Sequence, residues 1–181
     1  MGYLSAARMW GVTRHCADTA AFERFWQPHR PRVWRLVARL AGDVDQADDL
    51  TQEVSLRAFQ GFGTFHSGSS AYTWLYRIAV NVVLRHRERL APDIVSWDSA
   101  ADIPDPSLTP QAAVLQAQIR PIVWAALSRL PDEQRTTIIL SVYEELKYRE
   151  IAAVLEVPLG TVKSRLHIGM GRLREELKDA L

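Results

Sequence analysis

The sequence lacks the features that mark disulfide-rich, membrane-spanning or secreted proteins. It has one cysteine, Cys16, which excludes an intramolecular disulfide and a zinc site built from several cysteines of this chain. No apolar run approaches the roughly 20 residues that cross a bilayer. The N-terminus also has no long apolar block after a basic start, as a secretion signal has. We therefore expect a cytoplasmic protein that is not inserted in a membrane.

The motifs of common enzymes are missing as well. The sequence contains no glycine-rich phosphate loop and no nucleophile motif, and its five histidines show no spacing suited to a metal. Neighbouring carboxylates such as Asp48 and Asp49 point apart on a helix, so they do not form an acid–base pair. An enzyme is the least favoured class, and we expect no cofactor, no metal and no small-molecule substrate.

The chain does contain enough apolar sequence for a core, and its charge is unevenly distributed. Of its 181 residues 48% are hydrophobic, which allows one medium domain or two small ones. Residues 1–91 hold 12 basic and 8 acidic side chains and residues 112–181 hold 10 and 9, whereas 92–111 holds four aspartates and no basic residue. Basic residues that are concentrated locally suit a protein that touches nucleic acid with particular faces.

The acidic segment 92–111 also contains four prolines, which remove backbone donors and disfavour helix at the preceding residues. We interpret it as an extended linker between two small helical domains, at 20–91 and 112–181, with a flexible leader at 1–19. An ordered loop within one domain is the alternative.

Apolar residues recur at three- and four-residue steps in both halves, and no segment alternates with period two, so we predict an all-α fold. In the first half this pattern runs from Phe22 to Leu40 and stops at Gly42. Pro28 and Pro31 interrupt it, which predicts a kink or a break there.

Two further helices are predicted in the first half. One covers 43–58, with Asp43 as its cap and Gln46 as the capping-box partner. A loop rich in glycine, serine and phenylalanine follows at 61–70, and the next helix ends in the basic stretch 85–89.

The second half ends in a helix-turn-helix pattern. A helix over 112–130, interrupted or restarted at Pro121, precedes a helix that Pro131 begins at its first turn, with Ile138, Ile139, Val142 and Leu146 as its apolar residues. Short helices at 148–156 and 161–177 follow, joined by a turn with Pro158 and Gly160.

The last helix separates an apolar side from a polar one. The residues that pack inward are Val162, Leu166, Leu173 and Leu177, with either Gly169 or Met170. Its N-terminal end, which enters the major groove in such motifs, presents Thr161, Lys163, Ser164 and His167, flanked by Arg165, Arg172 and Arg174, with Arg149 on the supporting helix. A plain helical hairpin with a solvated basic face is the alternative.

The first half carries two other sets of polar and aromatic residues. Asp49, Gln52 and Glu53 lie opposite the apolar side of their helix, where they could equally serve only solubility. Aromatic rings beside arginines and an amide suit unstacked bases, and this set consists of Phe62, Phe65, Trp74, Arg77, Asn81 and Arg85. Packing in the core is the alternative for the three rings.

Three stretches resemble small RNA polymerase sigma factors, the extracytoplasmic-function class of the sigma-70 family, which contain only the second and fourth conserved regions. DDLTQEVSLRAF (48–59) resembles the polymerase-binding helix of that family, and TWLYRIAVNVVLRHRER (73–89) resembles its promoter-melting helix. Residues 130–177 follow the family pattern nearly end to end, and a linker stands where the family has one.

The resemblance implies a transcription initiation factor that binds core RNA polymerase and promoter DNA and is regulated by a separate anti-sigma factor. It implies that Asp49, Gln52 and Glu53 contact the clamp helices of the largest polymerase subunit. It implies that loop 61–70 with Asn81 captures a flipped base of the −10 element. It further implies that the −35 element is read as duplex DNA by Thr161, Lys163, Ser164, Arg165 and His167.

Some positions depart from the family pattern. Ser55 stands in place of a large aromatic residue, Glu145 in place of a common glycine, and Ile168 and Gly169 where basic or small residues are frequent. Two other classes fit parts of the sequence: a helix-turn-helix regulator that binds an operator alone as a dimer, and an adaptor whose two helical domains bind only protein.

Overall fold

The computed structural model of the chain describes residues 6–65, 70–89 and 110–178. Side chains are described from residue 19 in the first of these ranges and from residue 118 in the last. Every regular element in these ranges is helical, which confirms the all-α prediction. The helices are α1 (Ala6–Ala41), α2 (Ala47–Gly61), α3 (Ala71–Arg89), α4 (Pro110–Ser128), α5 (Asp132–Val142), α6 (Tyr148–Leu155) and α7 (Leu159–Lys178), with a 3₁₀ turn at Phe62–Thr64. The predicted linker lies outside the described residues except for its last two.

The sequence predicts a kink or a break at the two prolines; helix α1 runs through both without interruption, so the break is wrong. Proline has no backbone N–H, so the carbonyl four residues before each proline lacks its helical hydrogen bond. Pro28 and Pro31 lie on the exposed side of α1, where water can bind these carbonyls. The opposite side packs with α2 and α3 around a core that includes Val33 and Leu36, and this packing keeps the helix whole. The helix begins at Ala6 and so includes part of the segment predicted as a leader.

The turn between α1 and α2 corrects the predicted capping box. Gly42, with φ 78°, ends α1 as predicted, but α2 starts at Ala47 and has no side-chain cap. The Asp43 carboxylate instead accepts hydrogen bonds from the backbone N of Asp45 (2.9 Å) and the side chain of Gln46 (2.5 Å). Asp43 therefore orders the turn before the helix.

The second half contains the predicted helix-turn-helix as α6 and α7. Helix α4 continues through Pro121, and α5 starts at Asp132, one residue after Pro131. Val142, predicted to face inward, is 54% exposed because it is the last residue of α5.

Gly169, rather than Met170, faces the core of the second half. Met170 is exposed, whereas Gly169 is buried against α5. A Cβ on Gly169 would lie 3.0 Å from Cδ1 of Ile138 and 3.2 Å from Cβ of Gln134, so α5 and α7 approach as closely as glycine permits.

Among the described residues, the non-glycine residues Glu145 and Glu156 adopt left-handed backbone with φ of 55° and 54°. Such a conformation costs an L residue about 1 kcal/mol or more, while glycine adopts it freely. We expect Glu145→Gly to raise the free energy of unfolding by about 0.5–1 kcal/mol, measured by urea denaturation. Glu145→Ala retains the strain and is the control; equal stabilisation by alanine would show that the backbone is not the cause.

Candidate functional site

The polar side of α2 borders a groove between α1 and α2. Asp49 and Gln52 are exposed, as predicted for a protein-binding surface, while Glu53 is half-buried and forms an ion pair with Arg57 at 2.5 Å. The groove has a volume of about 400 Å³, and it is lined by Trp26, Gln27, Arg30, Asp48, Asp49, Thr51, Gln52 and Ser55.

The same surface includes an apolar residue that sequence reasoning missed. Leu56 is 57% exposed, and it lies one helical turn after Gln52, on the same side of α2. The spacing of four residues from Gln52 is the sequence signal that places Leu56 on this side of the helix. A large exposed apolar side chain among polar ones is typical of the centre of a protein-binding surface.

The aromatic residues around the 3₁₀ turn pack on one another. Ring centroids are 5.1 Å apart for Phe25 and Phe62, for Phe25 and Phe65, and for Phe65 and Trp74. Trp74 is only 8% exposed, so the core-packing alternative describes it, whereas Phe62 and Phe65 remain partly exposed. Residues 66–69 of the predicted base-capturing loop lie outside the described residues.

Asn81 and Arg85 are exposed along α3, and Arg77 is engaged with the second half of the chain. The Arg77 guanidinium forms an ion pair with Glu156 at 3.3 Å. Asn81 lines an open cavity of about 310 Å³ between the two halves, and Arg165 of α7 lines the same cavity. The structure thus brings together one residue predicted to contact the −10 element and one predicted to contact the −35 element.

The N-terminal end of α7 presents the predicted polar residues. Lys163, Ser164 and His167 are exposed, Thr161 is half-buried, and Arg149 is exposed at the start of α6. Arg165, predicted to flank this face, is half-buried, and its guanidinium forms an ion pair with Glu133 at 2.9 Å.

An apolar groove lies beside these polar residues. Tyr148 and Met170, both exposed, line it together with Leu166, Lys163 and His167. An apolar surface next to a lysine and an imidazole suits the major groove, where thymine methyl groups stand beside hydrogen-bonding base edges.

A buried polar cluster joins the two halves, and no sequence pattern predicts it. Glu144, 2% exposed, accepts hydrogen bonds from Arg39 Nη1 (2.8 Å), Arg32 Nε (3.3 Å) and the Tyr76 hydroxyl, and its carbonyl accepts one from Arg32 Nη2 (3.0 Å). Burial and the nearby carboxylate raise the pKa of Tyr76. Although burial opposes it, Tyr76 and Glu144 raise the pKa of Arg32. The hydroxyl therefore stays protonated and the guanidinium charged.

The described part of the chain contains neither a cluster of metal ligands nor a membrane-spanning helix. Within it, no group of three or more histidine, cysteine, aspartate or glutamate side chains is placed to hold a metal ion. None of its helices is both long enough and apolar enough to cross a membrane.

Two family models match the chain, one in each half. Sigma-70 region 2 matches residues 25–91, and Sigma-70 region 4 matches residues 120–173. The first match contains α2 and α3, and the second contains α6 and α7 as far as residue 173.

Curated relatives match nearly the whole chain. The RNA polymerase sigma-H factor of Pseudomonas aeruginosa is 34% identical over 173 residues, covering 91% of this chain and 88% of the relative. The ECF RNA polymerase sigma factor SigW of Bacillus subtilis is 31% identical over 171 residues, covering 90% and 91%. The ECF RNA polymerase sigma-E factor of Escherichia coli is 33% identical over 161 residues, covering 82% of each chain.

Two solved structures share the fold. The sigma factor RpoE in complex with the anti-sigma factor NepR from Bartonella quintana matches with a TM-score of 0.65 and 24% identity, over 87% of this chain and 97% of that one. CnrH in complex with the cytosolic domain of CnrY matches with a TM-score of 0.64 and 20% identity, over 89% and 90%.

Proposed function

We propose that the two halves of this chain, which belongs to the extracytoplasmic-function class of the sigma-70 family, bind different partners when transcription starts at particular promoters. The α2 surface, defined as Asp49, Gln52, Glu53 and Leu56, binds core RNA polymerase. Exposed residues of α3, with Asn81 at their centre, hold single-stranded −10 DNA. The N-terminal end of α7 reads the −35 element as a duplex.

The observation that carries this proposal is the exposure of two unlike polar surfaces, one on each half. The α2 surface is acidic and contains an exposed leucine, which suits a protein partner. The start of α7 is cationic and belongs to a helix-turn-helix, which suits duplex DNA. Two weak DNA contacts in one chain gain affinity through effective concentration once polymerase fixes their spacing.

The chain's part in initiation is binding and positioning, and RNA synthesis belongs to the polymerase. We propose that it acts in the cytoplasm, where both partners are found. We also propose that an anti-sigma factor holds it inactive, because one solved structure of the same fold is a sigma factor bound to an anti-sigma factor.

Reconstituted transcription tests this function. The purified full chain is mixed with core RNA polymerase and a library of double-stranded fragments with randomised −35 and −10 segments, and the transcripts are sequenced. We expect transcripts, from fragments that share two motifs, only when chain and polymerase are both present. Selection of DNA by the chain alone, without polymerase binding, would indicate a stand-alone regulator instead.

Lys163→Ala should change which promoters are chosen in the same assay. Lys163 is exposed at the end of α7 that enters the groove, and a lysine contact to guanine contributes about 1–3 kcal/mol of base discrimination. We expect relaxed preference at one −35 position and roughly tenfold weaker use of the best promoter. Arg174→Ala, on the flanking exposed surface, should weaken all promoters alike and lower the salt dependence. An equal loss of transcription from all promoters with Lys163→Ala would show that Lys163 contacts the phosphate backbone rather than a base.

A further inference from the structure

Ile168 is a large apolar side chain on the solvent side of α7. It is 46% exposed, whereas Gly169, the next residue, is buried against α5. Most of the aliphatic residues of α7 are buried, as Val162, Leu166 and Leu173 are. Isoleucine also has a lower helix propensity than alanine, leucine or lysine. Neither helix formation nor packing in the described part of the chain therefore favours isoleucine at this position.

Small neighbours leave Ile168 uncovered along the side of α7 that it shares with Ser164. Residues three and four positions apart are neighbours on a helix surface, so Ser164 lies one turn before Ile168 and Gly171 one turn after it. Ser164 is exposed, and a Cβ on Gly171 would meet no side chain from another turn or helix of the described chain within 4 Å. A ligand that α7 reads through Ser164 therefore also reaches Ile168.

The other two neighbours of Ile168 on the helix surface are arginines that are held towards α5. Arg165 forms an ion pair with Glu133 at 2.9 Å. Arg172 Nη1 donates a hydrogen bond to Gln134 Oε1 at 3.3 Å, and this neutral partner leaves the charge of Arg172 uncompensated. Both partners belong to α5. Ile168 is thus an apolar side chain with cationic groups beside it rather than over it.

The charge of this surface favours DNA over protein as the molecule that covers Ile168. Residues 159–174 of α7 include four lysine or arginine residues and no acidic one. DNA offers phosphates to the cations and, in the major groove, one apolar group on a base edge, which is the C5-methyl group of thymine. An apolar side chain among cations on a helix that enters the major groove suits this combination.

We propose that Ile168 determines part of the promoter specificity of this chain by contacting the methyl group of one thymine in the −35 element. The inference rests on the proposed function of α7 and names a base that the helix selects. Ile168 stands where basic or small residues are frequent in the family, and an arginine there would favour guanine instead. The substitution therefore exchanges a hydrogen-bonding contact for an apolar one.

Transcription by the full chain with core RNA polymerase tests this contact, on the best promoter from the randomised library. Each thymine of the −35 segment, on either strand, is replaced singly by deoxyuridine, which lacks only the methyl group. The unmodified chain is compared with Ile168→Ala and with Ile119→Ala. Ile119 provides the matched control, because it is a 40% exposed isoleucine on α4. Circular dichroism and urea denaturation establish that each variant is folded.

With the unmodified chain and with Ile119→Ala, we expect deoxyuridine at one −35 position to lower promoter use about threefold to fivefold, the effect of about one buried methyl group. Ile168→Ala should lower use of the thymine promoter by a similar factor and should lose sensitivity to deoxyuridine at that position alone. It should leave the salt dependence unchanged, because Ile168 neutralises no phosphate.

Ile168→Arg adds a change of preference to this loss. In a repeated library selection we expect guanine in place of thymine at the deoxyuridine-sensitive position. Sensitivity that survives in Ile168→Ala, or the absence of any sensitive thymine with the unmodified chain, would overturn the inference. Weaker polymerase binding by Ile168→Ala with an unchanged base preference would also overturn it, since Ile168 would then contact a protein.

The same experiments distinguish failure of this inference from failure of the proposed function. If the chain selects DNA without polymerase, the proposed function fails, and the deoxyuridine comparison is made by binding to that DNA. Loss of sensitivity in Ile168→Ala would still support the thymine contact there. If transcription requires the chain but no thymine methyl group matters, the proposed function stands and the inference fails. Selection of no DNA in either assay would overturn both.

Discussion

Replacing Asp49, Gln52 and Glu53 together with alanine is expected to weaken binding of core RNA polymerase at least a hundredfold. Asp49 and Gln52 are exposed at the rim of the α1–α2 groove, and Glu53 is half-buried beside them. Hot-spot residues each contribute about 2 kcal/mol or more, and a hundredfold change in Kd is about 2.7 kcal/mol. The measurement is titration of labelled core polymerase with each chain.

The fold of this triple variant is expected to persist, because none of the three side chains belongs to the buried side of α2. The Glu53–Arg57 ion pair that it loses is worth only about 0.3–0.5 kcal/mol on a partly exposed helix face. A control of the same composition replaces Asp45, Gln118 and Glu175, exposed residues elsewhere on the chain, with alanine. Equal binding of core polymerase by the triple variant and by this control would show that α2 does not form the polymerase-binding surface.

Arg135→Leu is expected to have the largest effect on stability, a loss of about 3–5 kcal/mol in the free energy of unfolding. Arg135 is 2% exposed and donates to the carbonyls of Ser128 (3.1 Å) and Leu130 (2.9 Å) at the end of α4, and it forms an ion pair with Asp132. Burial, and to a lesser degree Arg87, lowers the pKa of Arg135 to about 9, so the side chain remains charged at neutral pH. A leucine would leave the buried carbonyls without donors.

Urea denaturation of the full chain, followed by circular dichroism, measures this loss. Arg129→Leu is the matched control, because the Arg129–Glu176 ion pair at 2.7 Å involves an exposed arginine and is worth less than about 1 kcal/mol. Similar losses for the two variants would mean that Arg135 contributes no more than a surface ion pair.

The helix-turn-helix could be predicted from the sequence because its signals are local. Acidic residues at Asp132 and Glu133 begin α5, the turn residues Pro158 and Gly160 stand close together, and an apolar side recurs along α7. Helix starts, turns and periodicity all act within about one or two helical turns. The exposure of Lys163 and His167 could be predicted directly from that periodicity.

The features that could not be predicted depend on distant partners. Glu144 contacts residues 68 to 112 positions away, and no spacing rule connects such positions. The unbroken α1 has the same origin, since packing with α2 and α3 outweighs the local preference of Pro28 and Pro31. Trp74 shows the same limit, because one pattern suits both a stacking platform and a core residue.

The absence of a side chain at Gly169 sets the orientation of α7, the helix that we propose reads the −35 element. Helix α7 is 20 residues long, about 30 Å at 1.5 Å per residue, and it touches α5 near its middle. A larger residue at position 169 would displace the side chain of Ile138 or, where it contacts Gln134 Cβ, push α7 away from α5 about this contact point. A small rotation there becomes a larger displacement at Lys163 and Ser164, far from the pivot. A buried position thereby sets the orientation of the helix that we propose reads the −35 element.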